Sequence, residues 1–497
     1  MIVVGPALFL CLAVALPAFP AVRANQIDND EDAAVMDLAV RDVVDLALRN
    51  SRTLANERLR RSVERFALKI AETEFQPRVT AGAYADRHLT DATVETAGVE
   101  TALRLRVPTG GEFDLSSRLA YTDDGPPALG PRVGAVDLTF TQPLLRGGGT
   151  GVGGAALRTA RLAEEINVHA FRAAIIDLVT NAVRAYRAYG RARQRTVIAE
   201  RSLDRALALL EVNRLLVETG RMAERDIVQT QADIARRQLD LVASRGRLDA
   251  ARLALIDILD IDAGVRFGSL AEFDPDAVAP ASTDSREAIR IAFQHRPDYL
   301  ATLLGLRNAE TRALVARNDR LWDLSLTLGA SLTGVGDSFE AAWRELDRAD
   351  RRATLDLTIP VGRPAAGPAE LAHRRATADL AIAKNHLVEL EQRIVIDVTN
   401  SIRDVSLARQ RVDLARESRR LTQEKAEIER EKLNLGVSTN FQLVAFENDL
   451  VLAEIDELDA TVAYLNAVTE MDRTLGTTLD RWGLQVDRLE QGSATSP

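Results

Sequence analysis

The chain has 497 residues, with 63 Lys and Arg against 73 Asp and Glu for a formal net charge of −10. That acidic balance gives no electrostatic reason to expect nucleic acid as a partner, and 3 Trp, 6 Tyr and 13 Phe argue against large aromatic-rich cores. The single cysteine, Cys11, excludes a disulfide framework, a CxxC redox pair and a cysteine-ligated zinc, and five scattered histidines do little to restore a metal site.

Residues 1–24 begin with an apolar run from Ile2 to about Leu16 and end in Val22-Arg23-Ala24, resembling a secretory signal cleaved after Ala24. No later run reaches the roughly 18 apolar residues of a membrane-spanning helix. The expectation is an exported chain without a helical anchor. Asp28-Asn29-Asp30-Glu31-Asp32 imitates the start of a calcium loop, but Ala33 stands where glycine is needed and Ala39 where the bidentate Glu belongs. An acidic leader is the better reading.

From about Ala33 to Glu74 the apolar residues follow a helical period, and then the period changes to two. Leu103, Leu105 and Val107 alternate with Arg104 and Arg106. Phe113, Leu115, Leu119 and Tyr121 alternate with Asp114, Ser116, Arg118 and Ala120, and Val136, Leu138 and Phe140 with Asp137, Thr139 and Thr141. Pro108-Thr109-Gly110-Gly111 is a tight-turn signal between two of these strands. Tyr121 and Trp322 fall near strand ends, where aromatic girdles occur.

After Pro143 the pattern turns helical from about Gly154 to Glu218, with Leu203, Leu207, Leu210 and Val217 at three-four spacing. Gly220 suits the left-handed position that stops a helix. The second half repeats the sequence of events. Leu324, Leu326, Leu328 and Leu332 alternate with Ser325, Thr327 and Ser331, as Leu355, Leu357 and Ile359 do with Asp356 and Thr358. From about Ala369 to Leu435 there is neither Pro nor Gly, and Leu387, Leu390, Ile394, Val398, Ile402 and Val405 form one stripe. Gly436 ends it, and Thr439-Asn440-Phe441-Gln442 opens a returning helix as a capping box.

The halves therefore duplicate one another. Asn50 matches Arg296 and Val79 matches Leu324 at offsets of 245 to 246, whereas Pro143 matches Pro360 and Gly220 matches Gly436 at 216 to 217. The first half thus holds 28 extra residues, the size of one β-hairpin. The chain divides into a signal peptide (1–24), an N-terminal helical segment (25–75), a first strand region with the extra hairpin (76–146) and a first long helical hairpin (147–262). A linker and helix opening the second repeat (263–322), a second strand region (323–362), a second long hairpin (363–476) and a tail (477–497) follow.

Two-faced strands of 8 to 10 residues have membrane-crossing length, and in lipid an open edge leaves backbone groups unpaired, so they must close into a barrel. Six strands are too few for a useful pore. The helical rods, each roughly 95 Å long at 1.5 Å per residue, also need partners for their stripes. Identical subunits around an axis satisfy both demands. Arg104, Arg106, Asp114, Arg118, Asp137 and Asp356 should then face the lumen.

The order and duplicated spacing of Ala47-Leu48-Arg49-Asn50, Arg296-Pro297-Asp298, Thr141-Gln142-Pro143-Leu144-Leu145, Leu435-Gly436-Val437-Ser438-Thr439 and Thr474-Leu475-Gly476 resemble the TolC-like outer membrane efflux protein family. The resemblance runs from about Leu38 to Leu479. It implies a mainly α fold with a membrane β portion. In a homotrimer, long antiparallel hairpins form a periplasmic α-barrel tunnel beneath a twelve-stranded β-barrel in the outer membrane of a Gram-negative-type cell. The implied activity is that of an exit duct for a tripartite efflux pump or type I secretion system, without catalysis or cofactor, working with a periplasmic adaptor and an inner-membrane transporter. It places Gly220, Arg221, Gly436, Val437, Ser438 and Thr439 where tunnel tips meet adaptor tips, and Asp226 at an acidic position of the periplasmic entrance. Where some members carry a gating arginine and aspartates, this chain has Ser438, Gln442 and Ala445, and its extra hairpin would give six strands instead of four.

Two other readings share parts of the pattern. A periplasmic coiled-coil adaptor would have the hairpins but lack membrane-length strands in both halves. A nucleotide-dependent enzyme would use Gly149-Thr150-Gly151-Val152-Gly153-Gly154, a GxGxxG match, but the helix after it is far longer than a dinucleotide-binding unit allows. His295 has no nucleophile motif beside it, and no catalytic constellation emerges.

Overall fold

The computed structural model describes residues 35–89, 93–123, 132–220, 223–270, 273–282, 284–359, 367–435 and 437–486. The signal peptide, the acidic leader, Arg221, Pro360 and Gly436 lie outside them. In chain order the elements are β1 (Val35–Leu38), α1 (Val40–Asn50), α2 (Arg52–Glu72), β2 (Arg78–Leu89), β3 (Thr93–Arg106), β4 (Glu112–Asp123) and β5 (Arg132–Pro143). Then come α3 (Thr150–Gly153), α4 (Ala155–Glu218), α5 (Ile227–Leu259), β6 (Arg266–Leu270), α6 (Ser285–His295), α7 (Pro297–Asn318) and β7 (Asp323–Gly336). The chain closes with α8 (Phe339–Arg344), β8 (Arg348–Thr358), α9 (Pro368–Asn434), α10 (Asn440–Leu475) and α11 (Thr478–Trp482).

The extra hairpin joins the main sheet. Six strands run in the order β2-β3-β4-β5-β7-β8, every neighbour antiparallel. Beneath the sheet four helices pack in the matching order α2-α4-α7-α9. Further down, α4 pairs with α5 and α9 with α10, and α4 also packs on α10, so the two hairpins lie side by side.

Long helices form here because nothing interrupts them: α4 spans 64 residues and α9 spans 67, about 100 Å each at 1.5 Å per residue. Ser51 separates α1 from α2, its hydroxyl accepting from Leu54 N at 3.3 Å. Along α9, Leu390, Ile394, Val398 and Val405 are buried as their spacing predicts. In α4 the stripe is displaced. Leu207 is 42% exposed, and the buried line passes through Ser202, Ala206, Leu210 and Asn213. A straight 3.6-residue helix drifts away from a fixed heptad, so a stripe read from a few leucines misses the true seam.

The two largest clusters of the core sit at the root of the hairpins and reflect the duplication. One joins α1, α4 and α5 through Val43, Ala47, Ala182, Tyr186, Leu255 and Leu259. The other joins α6, α9 and α10 through Ala288, Ala292, Ile394, Val398, Leu465 and Val468. Phe273 packs on both. A short parallel pairing of β1 with β6 further ties the repeats together. Tyr186, fully buried, donates its hydroxyl proton to Leu38 O at 3.0 Å.

Candidate functional site

Because side chains alternate along a strand, the register decides which residues share a face. Following the pairings from β2 to β8 gives one face with Val79, Val99, Leu103, Leu105, Phe113, Leu115, Val136, Leu138, Phe140, Leu326, Leu328, Leu355 and Leu357. The charged residues on that face whose side chains are described, Arg87, Glu95, Arg132 and Arg351, all lie within four residues of the strand ends remote from the helices, and Arg87 pairs with Glu95 at 3.0 Å. Also at that remote end, α8 lies against β5 and β7, where Phe339 meets Tyr121 edge-on at 6.5 Å. The connection between β7 and β8 gave no helical signal in the sequence. α8 forms because the Ser338 hydroxyl accepts from Ala341 N at 3.0 Å and caps its start.

The opposite face carries all six charged residues singled out from the alternation: Arg104, Arg106, Asp114, Arg118, Asp137 and Asp356. Thr80, Ser116, Thr139, Thr141, Ser325, Thr327 and Ser331 share that face. Near the helices the charges are paired. Arg104 Nε lies 3.1 Å from Asp114 and 3.0 Å from Glu112, while Arg106 reaches Glu74 at 2.8 Å and Glu112 at 3.3 Å. A charged face backed by an apolar one suits a wall between water and lipid.

The motifs converge where sheet meets helices. Gln142 Nε2 donates to Thr109 O at 3.0 Å, and Thr109 Oγ1 donates to Gln142 Oε1 at 2.8 Å, locking the strand-end motif onto the Pro108–Gly111 turn. Gly153 presses against the same turn, since a Cβ there would stand 2.4 Å from Pro108 O. The glycine run is thus a packed strand-to-helix junction, continuous with the 64-residue α4 and not with a short dinucleotide-binding unit. Arg296 forks onto Asp298 at 2.8 Å and reaches Asp397 at 3.4 Å. Burial opposes its charge, but the two carboxylates hold the guanidinium above its ordinary value. A Cβ at Gly476, whose φ is +76°, would meet His295 O at 2.7 Å, so two distant motifs share one contact. His295 Nδ1 lies 3.5 Å from Asp480 there.

Nearby, Asp472 sits buried, 3.2 Å from Arg481. Burial pushes its carboxyl up to about 6 against the pull of Arg481 and Arg187. Burial also draws Arg187 down to about 10. That guanidinium donates to Leu465 O at 2.6 Å and Thr469 Oγ1 at 2.7 Å.

At the other end of the hairpins, α4 stops at Thr219, and Gly220 takes φ +73°. Asp226 closes a single 3₁₀ turn, Glu224–Asp226, before α5; its side chain lies outside the described residues. Val437, Ser438 and Thr439 lead into α10, where Thr439 Oγ1 accepts from Gln442 N at 3.3 Å. Ser438 donates to Glu429, and this hydrogen bond, with Lys432 beside it, holds the Glu429 carboxyl below its ordinary value. Val437 is 72% exposed, presenting an apolar surface at the tip.

The sequence reading missed the ties that join the two hairpins above these tips. Asn213 Nδ2 of α4 lies 2.7 Å from Thr230 Oγ1 of α5 and 3.0 Å from Asn440 Oδ1 of α10, all three buried. Further along, Glu447 of α10 stands between Arg205 of α4, at 2.9 Å, and Arg430 of α9. Asn213 in the seam beside Leu210 was the available signal, since a polar residue in an apolar stripe commonly sets helix register. Ser438 and Gln442 lie 3.3 Å apart, oxygen to oxygen, at the tip, whereas the buried charges sit higher, around Glu447.

Residues 43–259 match the family model for the outer membrane efflux protein. Among solved structures, the CmeC outer membrane channel of Campylobacter jejuni matches at TM-score 0.67 and 15% identity over 91% of this chain and 89% of its own. VceC, an outer membrane protein of Vibrio cholerae, matches at 0.66 and 13% over 88% and 96%. The MtrE outer membrane channel of Neisseria gonorrhoeae matches at 0.64 and 16% over 88% and 89%. No curated protein matches the sequence. The family resemblance is thereby matched over residues 43–259, and the mainly helical fold with its antiparallel sheet is shared along nearly the whole chain.

Proposed function

We propose that this chain, an outer membrane efflux protein by family match and fold, is one subunit of a homotrimeric duct that carries cargo passively out of a Gram-negative-type cell. The sheet would complete a β-barrel in the outer membrane with its charged face lining water, and the hairpins would complete an α-barrel tunnel in the periplasm. The observation that carries this reading is a sheet face that is free of charge except toward its remote strand ends, set against a charged opposite face and joined to helices of 64 and 67 residues. A periplasmic adaptor would use the hairpins alone and has no need of a six-stranded sheet with an apolar face.

In this reading the duct is passive and partners supply the work. A periplasmic adaptor would dock at Gly220, Arg221 and Gly436 to Thr439, and an inner-membrane transporter of an efflux pump or type I secretion system would deliver cargo. Opening would swing the hairpins about their glycine ends and loosen the Asn213–Thr230–Asn440 and Arg205–Glu447–Arg430 ties. Asp226, one per subunit, would form a ring of three at the entrance and concentrate cations. Membrane fractionation and planar-bilayer recording test the proposal. A detergent-dependent trimer that conducts ions, with Asp226→Asn lowering cation preference, is expected. A mature chain that is a monomer in water without detergent would refute it.

A further inference from the structure

We infer that copies of this chain join through strands β2 and β8, making an outer portal of eighteen strands instead of the twelve that the family resemblance implies. This rests on the trimeric duct reading. The residues that decide it are those of the extra hairpin. β3 is paired along its length on both sides, from Arg78↔Arg104 to Leu89↔Thr93 with β2 and from Glu95↔Asp123 to Arg106↔Glu112 with β4. The hairpin is therefore part of the wall, and the outermost strands of the sheet are β2 and β8.

These edges suit one another. Five antiparallel steps separate them, so they run in opposite directions and continue the antiparallel pattern when the β8 of one copy meets the β2 of the next. They span 12 and 11 residues, contain no proline, and keep unbroken register with their inner neighbours. Long regular edges of this kind are usually blunted unless they are paired. On the charged face β2 carries Arg78 at the helix end and Asp86 at the remote end, whereas β8 carries Asp356 at the helix end and, at the remote end, Arg348 and Arg352 with Asp350 between them, a net positive cluster. Antiparallel docking sets opposite charges together at both ends.

The helices below repeat the arrangement. α2 leads into β2 and occupies one end of the helix row, with Leu59 at 67%, Val63 at 66% and Phe66 at 62% exposure on a single stripe. α9, which follows β8, occupies the other end and exposes Leu371, Ala378 and Ile382 at spacings of seven and four. One partner, a second copy, covers both levels at once. Barrel diameter grows about in proportion to strand number, so the portal is about half again as wide as a twelve-stranded one. Selection by cargo size then falls to the helical tunnel.

Cys11 is the single cysteine of the sequence, so cross-linking in a Cys11→Ser background is clean. Thr80→Cys on β2 is combined in turn with Asp350→Cys, Thr354→Cys or Thr358→Cys on β8, all on the charged face, which covers the possible registers. Within one chain β2 and β8 are about 24 Å apart at roughly 4.8 Å per strand, beyond a short bismaleimide. Covalent dimers and trimers are expected from at least one pair, with none when Ser116→Cys on β4 replaces Thr80→Cys. Ladders from Ser116→Cys, or sized trimers that no Thr80→Cys pair links, would overturn the inference. A strand count by electron microscopy decides the same point without substitutions, twelve strands being the refuting result. A water-soluble monomer, detected by sizing before cross-linking, would remove the trimeric reading itself.

Discussion

The sheet and the helical rods both leave apolar side chains exposed in a single chain, but they do so in different ways. On the sheet the apolar residues dominate one face, with charge confined to its remote end. On α9 the exposed Val388, Ile396 and Leu414 are interspersed with pairs one turn apart such as Glu389–Arg393 and Glu417–Arg420. Charge near the middle of a bilayer is costly, which is the constraint that the proposed barrel would place on the sheet; water tolerates mixtures, so the rods need only a narrow seam. The lesson is that exposure alone does not identify a membrane surface. Continuity across strands does.

The sharpest way to break this contrast is to place the same charge in both regions. Leu138→Arg, in the middle of the apolar face, should cost about 2 to 4 kcal/mol and deplete assembled trimers in the membrane fraction. Leu414→Arg, on the exposed side of α9, should stay within about 0.5 kcal/mol of the parent. Equal assembly of the two variants would refute the assigned faces. Asp137→Asn, on the opposite side of the same strand, should assemble and alter only ion preference in bilayer recordings.

A second test belongs to the root of the rods. The Asp472 carboxyl titrates near 6 in the folded chain against an ordinary 3.8, so between those values the folded state holds the proton more firmly. Its contribution is then most favourable below about pH 4, falls as pH rises toward 6, and is flat above. At about 1.4 kcal/mol per unit the change is at most about 3 kcal/mol. Asp472→Asn should flatten that portion of the pH–stability profile, measured by thermal loss of helical circular dichroism; an unchanged profile would reject the assignment.

Smaller still is the buried tie between hairpins. Asn213→Leu keeps similar bulk but leaves Thr230 and Asn440 short of a partner, a loss of about 1 to 3 kcal/mol. Because it joins α4, α5 and α10, the variant should also raise channel conductance. Loss of stability without any conductance change would make the triad a packing feature alone.

The fold was legible where the signal is local. The limits of α9 and α10 follow from the absence of Pro and Gly and from Thr439, and the six charged sheet residues share a face because period-two alternation is a property of each strand by itself. What escaped depends on partners distant in sequence. The four residues of β1 form a strand only because β6 lies beside them, about 230 residues later. The extra hairpin could be read as strands, but its place in the sheet is set by the pairing of β3 with β4. The Asn213 triad likewise exists only once three helices meet.

The mildest expected effect concerns the tip, where Gly220 has φ +73° and, its chain neighbours aside, no atom of the described residues lies within 4 Å of where a Cβ would be. Gly220→Ala therefore meets no steric obstacle among the described residues, and the cost there is that of the left-handed backbone, about 1 kcal/mol. That loss should be readable as fraying of the last turn of α4 in amide exchange, leaving the sheet unaffected. If the tip is also the adaptor's docking point, the variant should weaken adaptor capture more than it lowers overall stability. A bulkier Gly220→Val, with the same dihedral demand but a β-branched side chain projecting into open space, should weaken it further. Undiminished capture by both variants would place the docking surface elsewhere on the hairpins.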